Sequence, residues 1–314
     1  MSYKRIDQIK VGEITDGYYL VKSVEIKSTT SNKKYLDFFL CDSSGEINAK
    51  LWDYDQADNP FKSNTIIKVR GTIKEWNGKK QFNIERARPA SDEDNVKIED
   101  FVPTAPYDSV TLFDQLQSYI EKIDLEDLRT IVSRIIELYK EKIQYYPAAQ
   151  KNHHSVRSGW LYHVVTMLQT GEKITEVYSF LNRDLLFAGI ILHDISKLDE
   201  MDANELGFVT AYTVEGQLLG HILQGVKLVD RVARELGSDA EVSLLLQHLI
   251  ASHHYTVEWG SPKSPMIPEG EILHYLDIID AHMYDMKTVL DETSAGQITD
   301  KVWVLGRRLY RSKQ

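Results

Sequence analysis

The chain has 314 residues, 42% of them hydrophobic and 27% charged, with a formal net charge of −10, the proportions of a globular protein and not of a disordered or collagen-like one. Its length exceeds the roughly 250–300 residues at which a single core stops growing, so two domains are expected. No apolar run reaches the roughly 18–20 residues that cross a bilayer, and no apolar signal core follows Met1-Ser2-Tyr3-Lys4-Arg5, so a cytoplasmic protein is expected.

A single cysteine, Cys41, rules out an intrachain disulfide or a cysteine-cage zinc site, so any metal must be held by His, Asp and Glu. The charge is unevenly spread: residues 1–90 carry a net +4 and residues 91–314 a net −14. A uniformly basic nucleic-acid coat is excluded. A mildly basic front module joined to an acidic body suits binding in front and metal chemistry behind.

Residues 1–90 form the first expected domain, and 10–90 read as strands. Tyr35 to Cys41 is an aromatic and apolar run broken by Asp42-Ser43-Ser44-Gly45, after which Ile47, Ala49 and Leu51 alternate with Asn48 and Lys50. Ile67, Val69, Gly71 and Ile73 alternate with Lys68, Arg70, Thr72 and Lys74, and Asn77-Gly78 predicts a tight hairpin into Gln81-Phe82-Asn83-Ile84. Five short strands, with Asp55–Ser63 as the helix or loop between the third and fourth, fit a small five-stranded Greek-key barrel, the OB-fold.

Residues 91–106 have linker composition, with Ser91-Asp92-Glu93-Asp94-Asn95 followed by Pro103 and Pro106. From Tyr107 the apolar period changes: Leu125, Leu128, Ile131, Val132, Ile135 and Ile136 follow helical spacing, so 107–314 is expected to be all-α. Further helices are predicted at about 156–181, 183–198, 215–236, 239–253 and 268–292, between Gly, Pro and Asn/Asp clusters.

All ten histidines fall between His153 and His282. His163, His193-Asp194, His221, His253-His254 and Asp277 or Asp280 recur about every 30 residues, one per helix and turn, so successive helices can each offer one ligand to a shared centre. Mixed N/O ligation suits manganese, iron, cobalt or zinc. His193-Asp194 end the apolar run Leu185 to Leu192, where a buried His and Asp cost several kcal/mol unless paired or metal-bound. Lys197, one turn on, would share their face, where its ammonium can meet a phosphate oxygen.

His163, His193-Asp194-Ile195-Ser196-Lys197, His221, His253-His254 and a late-helix Asp resemble the two-metal branch of the HD superfamily of metal-dependent phosphohydrolases, over residues 150–292. With the barrel in front and the segments Gly159 to His163, Glu215 to His221 and Ile272 to Asp277, the whole chain resembles the YhaM family of 3′-5′ exoribonucleases. One departure is Ser196, where the superfamily commonly has Gly in a His-Asp-x-Gly-Lys motif. The resemblance implies that His163, His193, Asp194 and Asp277, with Asp280 as the alternative, hold one metal. Asp194 would bridge to a second held by His221 and His253, and His254 would be a further ligand or a phosphate contact.

It also implies a divalent pair, Mn²⁺ foremost and Fe, Co or Zn as alternatives, that activates water and neutralises phosphoryl oxygens. Lys197, with Arg157 or His154, would position the phosphate. The barrel would hold single-stranded RNA, with single-stranded DNA open as a second substrate. Its candidate contacts are Tyr35, Phe38, Trp52, Trp76 and Phe82 for stacking, Phe38 and one of Trp52 or Trp76 being also core candidates, with Lys34, Lys50, Lys68, Arg70, Lys74, Lys79 and Lys80 near the backbone. His153, His248, His274 and His282 are expected to pack or to support ligands. Trp303 among Val302, Val304 and Leu305, ahead of Arg307, Arg308 and Arg311, is expected in a tail helix or in the contact of a homo-oligomer. The expected activity is hydrolysis to nucleoside monophosphates. A small-nucleotide phosphohydrolase and a non-catalytic nucleic-acid adaptor are the alternatives.

Overall fold

The computed structural model describes residues 4–54 and 59–314, and it divides into two compact units, 1–103 and 104–314. In the first, strands β1 (Ile14–Ser28), β2 (Lys34–Asp42), β3 (Gly45–Leu51), β4 (Ile66–Trp76) and β5 (Lys79–Pro89) close into a barrel in the order β1-β2-β3-β5-β4. Among the described barrel strands, only β3 and β5 pair in parallel. Asn77 and Gly78 both take positive φ, 51° and 75°, as the β4–β5 hairpin requires. Residues 55–58 of the proposed Asp55–Ser63 connection lie outside the described residues; Phe61, in its second half, is buried against Phe38.

Alternation along the strands decides which side chains fill the barrel. Tyr19, Leu36, Phe38, Leu40, Ile67, Ile73 and Phe82 are fully buried. Phe82 meets the Tyr19 ring edge-on, with centroids 5.9 Å apart. Phe82 and Phe38 are therefore core and not stacking platforms, because Phe82 shares its inward parity with Ile84 while Gln81 and Asn83 point outward. Beyond β5, the 91–94 segment is stapled to the barrel: Arg88 grips Asp94 through both carboxylate oxygens, at 2.7 and 2.6 Å, and the Tyr18 hydroxyl donates to Asp94 at 2.7 Å.

The second unit is built from α1 (Ser109–Glu121), α2 (Glu126–Tyr139), α3 (Gly159–Val177), α4 (Arg183–Leu192), α5 (Lys197–Glu200), α6 (Val214–Leu236), α7 (Ala240–Ser252) and α8 (Pro268–Glu292). The expected helix 183–198 is cut after Leu192, so His193 caps α4 and Lys197 opens the four-residue α5. Helix α4 is capped by Asn182, whose side chain accepts from Leu185 N–H at 3.0 Å. It is apolar all round, which seats it at the centre of the unit against α2, α3, α7 and α8. A two-stranded ribbon, β6 (Met201–Ala203) and β7 (Val209–Tyr212), interrupts the all-α expectation.

No tail helix forms. Residues 294–314 instead fold back through the bridges Ile298–Tyr310 and Val302–Arg307, with Gly296 and Gly306 at positive φ. Arg311 Nη1 donates to the carbonyls of Leu290, Asp291 and Thr293 at 2.7, 3.0 and 2.7 Å, satisfying the end of α8 that would otherwise be orphaned.

Replacing Phe82 with Ala should cost the barrel about 3–5 kcal/mol through the cavity left behind. Urea unfolding of the full chain checks this; an unshifted barrel transition with weakened RNA binding would instead make Phe82 a surface contact.

Candidate metal centre and nucleic-acid surface

Five helices and their ends bring the sequence-predicted histidines together. His163 lies in the second turn of α3, and His193 and His253 are the C-caps of α4 and α7. His221 follows a break in α6, and Asp277 and Asp280 sit on α8. Where a helix ends, carbonyls are left without partners, and His193 and His253 use them alike. Each donates Nδ1–H to the carbonyl three residues back, Ile190 and Ile250, both at 2.8 Å. A carbonyl only accepts, so each ring carries its proton on Nδ1 and a bare lone pair on Nε2.

His163 and His221 are oriented by carboxylates. His163 Nδ1 meets Asp280 Oδ2 at 2.7 Å, and His221 Nδ1 meets Glu200 Oε2 at 3.0 Å. Glu200 also accepts the His221 backbone N–H through Oε1 at 3.3 Å. This second bond depends on Gly220, whose φ of 68° and ψ of 163° break α6 one residue earlier in a region essentially closed to other residues.

The Nε2 atoms of His163, His193, His221 and His253 and Oδ1 of Asp194 are buried without a hydrogen-bond partner. They are nevertheless close. Asp194 sets Oδ2 3.4 Å from His193 Nε2, and Oδ1 3.4 Å from His221 Nε2 and 3.6 Å from His253 Nε2; His163 Nε2 is 3.4 Å from Asp277 Oδ1. Metal–ligand bonds of about 2.1 Å place neighbouring ligand atoms about 3.0–3.4 Å apart, so these spacings fit donors around a cation. The donors form one group of Asp194, His221, His253 and His254 and another of His163, His193 and Asp277, each within 4.8 Å.

The electrostatics fit positive charge. Burial opposes ionisation of Asp194, but Lys197 and His193 hold its carboxyl well below the usual range. Burial likewise disfavours a charged His163, yet Asp277 and Asp280 on its two sides raise it to about 10, so the space between His163 Nε2 and Asp277 favours positive charge, which a proton supplies there until a cation displaces it. Burial pushes His254 down to about 3 and His153 to about 4, leaving both neutral.

Several expectations are corrected. Asp280 accepts from both His154 Nε2 and His163 Nδ1, each at 2.7 Å, so it lies behind His163 while Asp277 faces the bare nitrogens. His154 is thus tied to Asp280, with its ring 4.0 Å from and tilted 38° to that of Tyr284, and not turned to a phosphate. Arg157 donates through Nε to the Glu205 carbonyl at 3.2 Å. The Lys197 ammonium donates to Asp194 Oδ2 at 2.6 Å, committing it to that carboxylate. Ser196 sits at φ −76° and ψ −4°, ordinary right-handed backbone, so its replacement of Gly strains nothing. His274 supports His253 by donating Nδ1–H to its carbonyl at 2.8 Å, and His248 Nε2 accepts from Met266 N–H at 2.9 Å. Sequence reasoning missed Glu200, which no motif marks, and the place of His153, its ring 5.9 Å from that of His163.

On the barrel, the candidate contacts divide. Tyr35 and Trp52 pair with centroids 4.6 Å apart, and Lys50 Nζ lies 4.8 and 5.5 Å from their rings. Trp76 and Lys80 line a cavity of about 700 Å³ with Phe39, an exposed aromatic that strand parity would have revealed. Lys68 and Arg70 line a separate one of about 600 Å³ with Arg86 and Arg88.

A closed OB barrel and a helical unit whose imidazoles and carboxylates converge define the class: a metal-dependent phosphohydrolase with a nucleic-acid-binding module. Residues 160–282 match the HD domain family and residues 20–90 the OB-fold nucleic acid binding domain. The chain is 42% identical over 302 residues to the 3′-5′ exoribonuclease YhaM of Bacillus subtilis (strain 168), covering 96% of this chain and 95% of that protein. The same enzyme of Bacillus pumilus (strain SAFR-032) is 40% identical over 308 residues, 98% of this chain and 97% of the other. The second OB-fold domain of replication protein A from Methanococcus maripaludis matches 29% of this chain and 96% of its own, with 22% identity and a TM-score of 0.24. The chain belongs to the YhaM family of 3′-5′ exoribonucleases.

Because a cation would bind the native donors only, Mn²⁺ at a hundredfold excess over its Kd should add about 2.7 kcal/mol of stability. Thermal unfolding of chelator-stripped protein across a Mn²⁺ series measures this, and a midpoint independent of Mn²⁺ contradicts the site.

Proposed function

We propose that the chain is a divalent-metal-dependent 3′-5′ exoribonuclease that hydrolyses single-stranded RNA to nucleoside monophosphates, with a pair of Mn²⁺ ions as its cofactor. The observation that carries this is the convergence of four bare, buried imidazole nitrogens on the Asp194 and Asp277 carboxylates. His163, His193, Asp194 and Asp277 would hold one ion, and Asp194, His221 and His253, with His254 beside them, the other. The ions supply Lewis-acid activation of water and neutralisation of charge on the phosphoryl oxygens.

The chain's own residues do the rest. Asp194 is the shared carboxylate, its two oxygens facing the two groups. Lys197 holds it ionised and in place through the 2.6 Å ion pair. Asp280 and Glu200 fix the rings of His163 and His221, as residues behind metal ligands do. On the barrel, the Tyr35–Trp52 pair under Lys50 offers π-faces and charge to a strand without reading its sequence. That surface favours a polymer over a small nucleotide, and single-stranded DNA would stack on it equally. A reducing, cytoplasmic compartment fits the one buried thiol, Cys41.

Incubated with Mn²⁺ and a 5′-labelled oligoribonucleotide, the protein should yield a ladder of shortened products, abolished by a chelator. Asp194→Asn should lose at least about a thousandfold in rate, about 4 kcal/mol of barrier, while binding the strand as before. Wild-type rates in that variant, or turnover of small nucleotides only, would overturn this reading. Replacing Tyr35 and Trp52 together by Ala should weaken strand binding by about 1–3 kcal/mol per lost stack in a filter-binding titration.

A further inference from the structure

Beside the imidazole cluster runs a file of aromatic rings whose outermost member faces solvent. His274 on α8 is buried, and its Nδ1–H donates to the His253 carbonyl at 2.8 Å. The His274 ring lies 4.9 Å from Tyr255 and 6.3 Å from Trp259, the latter at an interplanar angle of 25°. Trp259 ends the single turn Val257–Trp259, and its carbonyl accepts from His254 Nδ1 at 2.6 Å. The file is thus tied through backbone groups to both His253 and His254, yet the Trp259 residue is 60% exposed.

The turn that carries Trp259 is held at several points. Thr256 N–H donates to the His254 carbonyl at 2.8 Å, Ser261 N–H to the Thr256 carbonyl at 3.1 Å, and His254 N–H to Ser261 Oγ at 3.0 Å. Tyr255 takes a φ of 71°, which a residue with a side chain adopts only where its surroundings dictate it. A large aromatic carried on a turn whose backbone is held at this many points, and left this open, is not explained by packing. It is a flat surface whose own backbone carbonyl binds His254 and whose ring lies 6.3 Å from that of His274. A nucleobase hangs one ribose away from its own 5′ phosphate, and every base has a π-face to stack.

Resting on the exoribonuclease reading above, we propose that the Trp259 indole, backed by His274, is the stacking platform for the 3′-terminal nucleobase of the RNA whose phosphodiester lies at the imidazole cluster. Stacking there accepts any base. It also sets the length of chain that reaches the reacting bond.

The test uses the full chain with Mn²⁺ and two 5′-labelled oligoribonucleotides, alike except that one ends in an abasic 3′ nucleotide. Trp259→Ala should lower kcat/KM on the base-bearing strand about tenfold, equivalent to about 1.4 kcal/mol. It should change the abasic strand by less than about twofold, and Trp259→Phe should restore most of the loss. Equal losses on both strands, or no loss on the base-bearing one, would overturn the platform while leaving the nuclease standing. A wild-type chain that shortens neither strand would overturn the exoribonuclease reading and the platform with it.

Discussion

Each of the four imidazoles at the centre spends its Nδ1–H on a fixed acceptor, and the structure depends on that constraint. Two rings use the carbonyl three residues back in their own helix end, and two use carboxylates from elsewhere in the fold. With one proton fixed on Nδ1, Nε2 is the nitrogen turned to the centre, where burial denies it water and leaves a cation as its partner. An unpartnered buried acceptor costs about 1–3 kcal/mol, so four of them aimed at one place form a structure that a cation would stabilise.

The scaffold makes this arrangement affordable. Helix α4, apolar on every face, fixes His193 and Asp194 at the middle of the unit, where neither has freedom to reach solvent. The break at Gly220 turns His221 inward, and Glu200 holds it there through backbone and ring together. Left-handed backbone at His154, Ser158 and Tyr255 flanks the same region, backbone strain of the kind that persists only where the surroundings over-determine it. In the barrel unit the left-handed non-glycine positions are Asn and Asp, at Asn32, Asp53, Asn64, Asn77 and Asn95, the residue types that tolerate that backbone most readily.

Much of this was legible in the sequence because it is local. The alternation of β3 and β4, the Asn77-Gly78 turn and the apolar run before His193-Asp194 are each patterns among consecutive residues of the chain. What was not legible depends on three-dimensional direction. Asp277 and Asp280 lie three residues apart on one helix, and only the orientation of the His163 ring separates the one beside its bare nitrogen from the one behind it. Phe82 was misassigned because its aromatic character outweighed a parity that Ile84 already declared. Glu200 is an ordinary acid in sequence and becomes a positioning residue only through the kink at Gly220. The tail's apolar cluster suggested a helix or a subunit contact; Gly296 and Gly306 instead turn it back into a bridged hairpin whose Arg311 closes α8.

The central claim is about atoms, and diffraction from crystals grown with Mn²⁺ tests it most directly. Anomalous difference maps should show two peaks about 3.5–4 Å apart. One should be met by Nε2 of His163 and His193, the other by Nε2 of His221 and His253, with Asp194 between them. Absence of peaks at full Mn²⁺ occupancy elsewhere in the crystal, or ions bound through Nδ1 with the carbonyl and carboxylate contacts broken, would contradict the account.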